Sequence, residues 1–192
     1  MTKSRLEAFS DGVFAIIITI MVLDIKLPAT GDLSAVFTPE WLAAFFAYIT
    51  SYILVTSFWV SHHKIIYHLE KVDTGILWLN SFTLFPISLI PFAADWFGNF
   101  PNKMAPSMTY GLLYVLTVFA LFMLNRGVMQ RMPIERAKKL KPYNARRGGM
   151  IVMGLIGTGL AYFWPPITGF MILGFTGLWI VWALITHKFS EQ

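Results

Sequence analysis

Oxygen-bearing side chains surround the first long apolar stretch of the chain, residues 13–23. Ser10 and Asp11 precede this stretch, Thr19 lies inside it, and Asp24 follows it. Hydroxyl oxygens can replace part of the hydration shell of an ion, whereas a carboxylate within a membrane is costly unless it is paired. The residue types and their spacing therefore indicate either a membrane-length helix whose side chains contact ions, or one that carries a polar network at one end.

The composition is that of an integral membrane protein. The 192 residues are 56% hydrophobic and 13% charged, whereas soluble domains average about 25% charged residues. Because there is no cysteine, disulfides, thiol chemistry and cysteine metal sites are excluded. The formal net charge of +5 is typical of the basic cytoplasmic loops of membrane proteins, so we expect a lipid bilayer, and no nucleic acid, as partner.

Six stretches are long and apolar enough to cross a bilayer, which takes about 20 residues per helix. Since backbone amides have no water partners in lipid, each crossing stretch is predicted to be an α-helix. The predicted fold is a single all-α transmembrane domain over residues 1–192. Its six spans are roughly 6–27, 40–61, 75–97, 107–125, 148–164 and 167–187.

The distribution of Lys and Arg predicts the orientation of these helices. All of these residues except Lys26 and Lys103 fall before the first span, after the last span, or in the connections on that same side. An excess of positive charge marks the cytoplasmic side, so both termini are predicted to be cytoplasmic. The most basic connection, residues 126–147, is either this topology signal or a site for anionic lipid or a partner.

One side of the first helix forms a continuous stripe. A helix turns about 100° per residue, so residues spaced 4, 3, 4, 3 and 4 apart align along it: Arg5, Phe9, Gly12, Ile16, Thr19 and Leu23. Such a heptad spacing is typical of helices that pack around an axis. Ile20 lies beside the stripe, and Asp11 points about 140° away from it.

This stripe has two interpretations. In the first, the helix packs against another membrane helix, and the Thr19 hydroxyl bonds its own backbone. In the second, several copies of the helix surround a narrow pore, with apolar rings of Ile16 and Leu23 and a hydroxyl ring of Thr19. Periodicity alone does not separate the two.

Three stretches of the sequence resemble one family of ion channels. Residues 5–12 (RLEAFSDG), with an Ile-rich helix that ends in residues 22–25 (VLDI), are similar to the FSD-motif helix of the endosomal and lysosomal potassium channels, the transmembrane protein 175 family, in its prokaryotic branch. Residues 58–63 (FWVSHH) resemble the end of the family's second helix, and Asn80 with residues 87–92 (ISLIPF) resembles its third. The resemblance covers the whole chain.

The resemblance implies a homotetramer whose first helices line a central pore, without a re-entrant pore loop. The family's constriction falls on Ile16, its hydroxyl position on Thr19 and its outer hydrophobic position on Leu23. Ile20 matches a further constriction of some members. The implied function is a potassium-permeable, leak-type cation channel with a hydrophobic gate that favours potassium over sodium. It needs no cofactor besides permeant K⁺ ions, and its implied location is the inner membrane of a prokaryotic cell.

The polar residues in the cytoplasmic half of the first helix are predicted to form a structural network with the second and third helices. An unpaired carboxylate such as Asp11 is unfavourable in lipid; the alternative is that these groups cap helix ends at the headgroup level. At the opposite end, Asp24 either raises the cation concentration at the outer mouth or pairs with Lys26. The predicted network members are Arg5, Ser10, Asp11, His62, His63 and Asn80.

Other function classes fit the sequence less well. Four histidines without a cluster of carboxylates are too few ligands for a di-iron membrane hydroxylase, and no serine nucleophile has a matched base. We therefore expect neither an enzyme nor a metal site. A secondary transporter or a non-conducting membrane assembly remains the alternative. A transporter needs a midplane site with broken helices, whereas the first helix is predicted to be unbroken and without a midplane charge.

Overall fold

The computed structural model describes residues 2–26, 28 and 30–190, and this part of the chain is all-α, as predicted. The helices, numbered along the chain, are α1 (Lys3–Ile20), α2 (Pro39–Tyr67), α3 (Thr74–Ser88), α4 (Ile90–Asn99), α5 (Met104–Met129), α6 (Ile134–Leu160) and α7 (Ile167–Ser190). Two short 3₁₀ segments follow α1 and precede α2, at Met21–Asp24 and Leu33–Phe37.

Four helical segments have the length and apolarity to cross a membrane: Lys3–Asp24, Pro39–Tyr67, Thr74–Asn99 and Met104–Met129. They correspond to the first four predicted spans. The last two predicted spans, residues 148–164 and 167–187, correspond to the second half of α6 and to α7, where Ile167–Trp182 is a shorter apolar helix. A helical fold with several membrane-length helices is thus confirmed, and crossing by six helices stays a prediction.

The stretch predicted as one helix over residues 75–97 consists of two helices, α3 and α4, which meet at Leu89. Pro86 lies near the end of α3, and Pro91 lies in the first turn of α4. Proline lacks the backbone N–H, and its ring collides with the carbonyl four residues earlier, so this closely spaced pair interrupts the helix. Hydropathy missed the break because it does not depend on backbone hydrogen bonding.

Residues 126–147, predicted to be a basic loop, are largely helical, which corrects the prediction. α5 continues to Met129, α6 begins at Ile134, and residues 130–133 connect the two helices. Lys, Arg, Leu and Ala are good helix formers, and their charge does not oppose a helix outside the hydrocarbon core. The span prediction ended each helix where apolarity ended, whereas the backbone continues beyond that point.

Local capping explains where two of the site-bearing helices begin. The Thr38 hydroxyl accepts a hydrogen bond of 3.4 Å from the Trp41 N–H at the start of α2, and Pro39 occupies the first turn. The Asp73 carboxylate accepts one of 2.8 Å from the Ile76 N–H at the start of α3. Side chains of these types satisfy the free N–H groups of a first turn.

α5 lies at the centre of the bundle and α1 at its edge. α5 packs against α2, α3, α4, α6 and α7, and its Tyr110 and Tyr114 are buried. α1 packs against α2 and α3. The opposite face of α1 is exposed along its length, so its own chain covers the first helix on one side only. The buried face of α1 consists of Leu6, Ser10, Phe14 and Ile17.

Helices α2 and α4 approach closely at Gly98. A β-carbon at this position would lie 3.1 Å from the Ala44 Cα and 3.1 Å from the Ala47 Cβ, which is tighter than ordinary van der Waals contact. Small residues allow membrane helices to approach in this way. The contact holds the end of α4, and with it Asp95 and Asn99, against α2.

Candidate functional site

The stripe predicted on the first helix lies on the exposed face of α1. Its apolar members are largely open in the single chain, with 62% of Ile16 and 79% of Leu23 exposed. No other described part of the chain covers them, so they are available to a second copy, to lipid or to a water-filled path. The exposed residues on this face of α1 are Arg5, Phe9, Gly12, Ile16 and Thr19, with Ile20 beside them. The α-helix predicted to continue to residue 27 ends at Ile20, so the exposed Leu23 lies in the 3₁₀ segment Met21–Asp24 that follows.

The Thr19 hydroxyl lies within hydrogen-bond distance of its own helix backbone, 2.9 Å from the Ala15 carbonyl oxygen and 3.0 Å from the Ile16 carbonyl oxygen. A hydroxyl has one proton and two acceptor lone pairs. Once its proton is donated to the backbone, the lone pairs of the Thr19 oxygen remain on the exposed side of the helix. This arrangement is compatible with a packed helix and also with an oxygen ligand facing a passing cation.

Ser10, His62 and Asn80 meet in one buried polar cluster between α1, α2 and α3. The Asn80 Nδ2 donates to Ser10 Oγ at 3.1 Å, and the Asn80 Oδ1 lies 2.7 Å from His62 Nε2. With this amide orientation, Nε2 of His62 carries the proton and donates. The Ser10 hydroxyl also donates to the Leu6 carbonyl at 2.9 Å. The cluster therefore ties the buried face of α1 to both neighbouring helices.

Asp11 does not join this cluster. Its Oδ1 accepts a hydrogen bond of 2.8 Å from the indole Nε1 of Trp59 on α2. The Trp59 ring also lies 6.2 Å from the ring of His63, one helical turn further along α2. Trp59 was missing from the predicted site, although it stands within the FWVSHH stretch. The sequence signal that could have identified Trp59 was its indole N–H donor, which lies about one helical turn before His62 and His63.

Arg5 lies apart from the other predicted polar residues. Its side chain is on the exposed face of α1, and its backbone N–H donates to the Thr2 hydroxyl that caps the helix. Among the residues that the structure describes, the ion pairs involve neither Arg5 nor Asp11. The predicted network thus divides into the Ser10, His62 and Asn80 cluster and the separate contact of Asp11 with Trp59.

A second group of polar residues lies at the other end of α1. Asp24 ends the 3₁₀ segment after the helix and lines a small cavity together with Asp95 of α4. Lys26, offered as a pairing partner for Asp24, donates to the Asn99 Oδ1 at 2.9 Å instead. Asn99 in turn donates to the Asp95 Oδ1 at 2.7 Å. Two carboxylates therefore share this end. Sequence reasoning missed Asp95 because it lies near the end of the predicted span over residues 75–97, which was assigned from its overall apolarity.

The opposite end of α1 is attached to the end of α2 by the Lys3 ammonium, which donates to the Tyr67 carbonyl at 2.7 Å. Beside it, Arg136 of α6 pairs with Glu70 at 2.6 Å. Burial lowers the pKa of His68, and the positive charges of Lys3 and Arg136 lower the pKa further. The first, second and sixth helices therefore come together at this end.

A second ion pair at the same end joins Arg131 to Asp73, with 2.6 Å between Nε and Oδ2. The hydrogen bond from Arg131 lowers the pKa of the Asp73 carboxyl, and the Ile76 backbone N–H lowers the pKa further. The pair connects the start of α3 to the segment that follows α5. Within the described part of the chain, no group of three or more His, Cys, Asp or Glu side chains could hold a metal ion.

Comparison with known proteins gives a consistent result. A family model described as endosomal/lysosomal potassium channel TMEM175 matches residues 5–91. A protein from Chryseobacterium sp. (strain P1-3), named as a potassium channel, is 39% identical over 199 aligned positions, which cover 100% of this chain and 97% of that relative.

Two further relatives match over part of their length. A protein named as a potassium channel from Streptomyces collinus is 32% identical over 62% of this chain and 59% of its own length. The human endosomal/lysosomal proton channel TMEM175 is 27% identical over 74% of this chain, which corresponds to 30% of the human protein.

The fold is also found in a solved structure. The crystal structure of a lysosomal potassium-selective channel TMEM175 homolog from Chamaesiphon minutus matches with a TM-score of 0.77 and 21% identity, over 93% of this chain and 96% of that one. That similarity shows the fold. The full-length match to the Chryseobacterium protein, with the family model over residues 5–91, shows that the chain belongs to the endosomal/lysosomal potassium channel TMEM175 family, whose members are membrane ion channels and not enzymes.

Proposed function

We propose that the chain forms a homotetrameric, leak-type potassium channel in the inner membrane of a prokaryote, which passes potassium in preference to sodium. Each subunit forms one domain that crosses the bilayer with six helices and keeps both termini in the cytoplasm. The α1 helices of the four copies surround the pore. Bacterial relatives that are named as potassium channels support this proposal.

The observation that carries the proposal is the uncovered stripe on α1. An exposed apolar face is ordinary for a helix in lipid, but this stripe follows a heptad spacing and contains the Thr19 hydroxyl. The buried Ser10, Asn80 and His62 cluster holds the opposite face of α1, so the helix cannot rotate the stripe away without breaking buried hydrogen bonds. The stripe therefore faces outward from the subunit, where copies can meet.

In this arrangement, rings of Ile16 and Leu23 constrict the path, and an ion must shed water to pass them. Sodium holds its hydration shell more tightly than potassium, so the apolar rings penalise sodium more. The Thr19 oxygens replace part of the lost hydration. Asp24 and Asp95 raise the cation concentration near the outer entrance, because clustered negative charge attracts counter-ions.

Cysteine accessibility in liposomes tests the pore assignment, because no native cysteine interferes. Ile16→Cys and Leu23→Cys should make potassium flux sensitive to silver or small cationic thiol reagents. Ile156→Cys is the matched control, since Ile156 is exposed on α6, away from the stripe. Insensitive flux in both the Ile16→Cys and the Leu23→Cys variants, with active protein, would contradict the proposal.

One observation favours the alternative, a secondary transporter. α3 and α4 form an interrupted helix, which is a feature of transporter sites. However, Ser88, Leu89 and Ile90 at the interruption carry no charge that would bind a substrate ion. A channel dissipates a potassium gradient without a coupled ion, whereas a transporter requires one.

The same liposomes, loaded with a pH-sensitive dye, also test proton permeation, which the name of the human relative suggests.

A further inference from the structure

A small cavity lies between α2, α5, α6 and α7, away from the stripe on α1. Its volume is about 20 Å³, whereas a single water needs roughly 10–15 Å³. The polar side chains that line it include Ser61, Tyr114, Arg147 and Thr176. None of the lining residues, all of which the structure describes, is acidic.

Arg147 brings a buried positive charge to this cavity. Its side chain is 4% exposed, and its Nη2 donates to the Ser61 Oγ on α2 at 2.8 Å. Its Nη1 has no hydrogen-bond partner in the described protein, and the guanidinium carbon lies 5.6 Å from the centre of the Trp179 ring. No carboxylate of the described chain forms an ion pair with Arg147.

Two further polar atoms in the same cavity lack a protein partner. They are the buried hydroxyl oxygens of Tyr114 on α5 and Thr176 on α7. Buried polar groups are normally hydrogen-bonded, and three such atoms around one cavity indicate a shared ligand. Because Ser61 accepts from Arg147, its own proton is available as well. The cavity therefore combines one fixed positive charge with hydroxyl donors.

This donor set distinguishes between classes of ligand. A cation would be repelled by the guanidinium. A water would satisfy hydrogen bonds but would leave the buried charge uncompensated, which is unfavourable at low dielectric. A phosphate group carries about −1.5 to −2 charges at pH 7, which is more than the single guanidinium neutralises. A small monovalent anion accepts from all the donors and also neutralises Arg147.

We propose that this cavity binds one small inorganic anion, chloride under ordinary conditions, which neutralises Arg147 and joins α2, α5, α6 and α7. This site is additional to the proposed potassium path, since no lining residue belongs to α1. The anion has a structural role, because it completes the hydrogen bonds between four helices.

The test is thermal unfolding of the purified protein in neutral detergent, with potassium chloride, potassium bromide or potassium gluconate at equal ionic strength. We expect chloride and bromide, but not the bulky gluconate, to raise the apparent Tm with a saturable dose dependence. Arg147→Met removes the charge and should abolish the difference between anions. Arg126→Met, at an exposed arginine on α5, is the matched control and should retain the difference.

Tyr114→Phe keeps the ring and removes one donor, so it should shift the dose dependence to higher chloride concentration. If Arg147→Met does not fold, Tyr114→Phe and the anomalous scattering of bromide in crystals test the proposal in its place. A bromide peak is expected beside Arg147. Equal Tm values in chloride and gluconate would mean an ordered water only and would overturn the proposal. So would stabilisation by phosphatidylglycerol in place of chloride, or an unchanged chloride effect in Arg147→Met. None of these measurements depends on potassium conduction.

Discussion

The indole Nε1 of Trp59 lies 2.8 Å from the Asp11 carboxylate and joins α2 to the charged residue of the FSD motif. Trp59 is partly exposed, so this bond lies at the rim of the contact between α1 and α2. A charge-assisted hydrogen bond of this length is among the stronger ones in proteins. It holds Asp11 toward α2, on a different side of α1 from Ile16 and Leu23.

We expect Trp59→Phe to destabilise the protein, because it removes the indole N–H and leaves Asp11 without its donor. The expected loss is about 1–2 kcal/mol in the free energy of unfolding. Asp11→Asn keeps an acceptor oxygen and should cost less, with a lower yield of assembled protein but an unchanged potassium-to-sodium reversal potential. Thermal unfolding in detergent and size-exclusion chromatography measure these effects.

Trp78→Phe is the control for this pair, since Trp78 is a largely exposed tryptophan on α3. It should leave stability nearly unchanged. An Asp11→Asn variant that assembled normally but changed ion selectivity would show that Asp11 faces the ions.

Asn80→Ala tests the buried cluster. The substitution leaves Ser10 and the His62 N–H without their shared partner inside the bundle, where each unsatisfied group costs about 1–3 kcal/mol. We expect a clear loss of thermal stability. Ser81→Ala is the neighbouring control, because the Ser81 hydroxyl is exposed and bonds only the Leu77 carbonyl of its own helix. Equal stability of the two variants would mean that the cluster does not anchor α1.

The stripe predicts three distinct conduction phenotypes. Ile16→Asn should raise conduction and weaken the discrimination between potassium and sodium, because a polar ring no longer forces ions to lose water. Thr19→Val should lower potassium selectivity with the fold intact, since its hydroxyl contacts only its own helix. Leu23→Ala should widen the outer end with a smaller effect on selectivity. Reversal potentials under bi-ionic potassium and sodium measure all three.

Parental currents and reversal potentials in all three stripe variants would place the permeation path elsewhere and would favour the transporter. Ile156→Asn, on the exposed face of α6, serves as the control for a polar substitution at an uncovered membrane position. It should leave the reversal potential unchanged.

The lowered pKa of His68 predicts that the stability of the protein depends on pH. Burial and the charges of Lys3 and Arg136 lower its pKa below the ordinary value of 6.5, so the unfolded chain takes up the proton first as the pH falls. Stability should therefore decrease as the pH falls from 6.5 towards the lower folded pKa. His68→Gln should reduce this decrease. Thermal unfolding between about pH 7 and pH 5 measures the difference, and an identical pH profile in the variant would contradict the assignment.

The sequence alone determined the properties that depend on short segments. Hydropathy over about 20 residues predicts membrane helices, and the spacing of apolar residues predicts which side of α1 forms a stripe. Four of the six predicted spans have the length and apolarity of membrane helices in the structure. The stripe from Arg5 to Thr19 lies on one exposed face of α1, because the helix period is the same whatever the helix packs against. The FSD motif could be matched to the family because its residues are contiguous in the sequence.

Only the tertiary structure decided which side chains meet. Trp59 was found as the partner of Asp11, and Asp95 as the neighbour of Asp24, because packing sets the rotation and the separation of two distant helices. The same applies to Arg147, which the sequence assigned to a basic loop and the structure buries beside Ser61. Local patterns define helices and their faces, whereas the pairing of those faces depends on contacts between residues far apart in the chain.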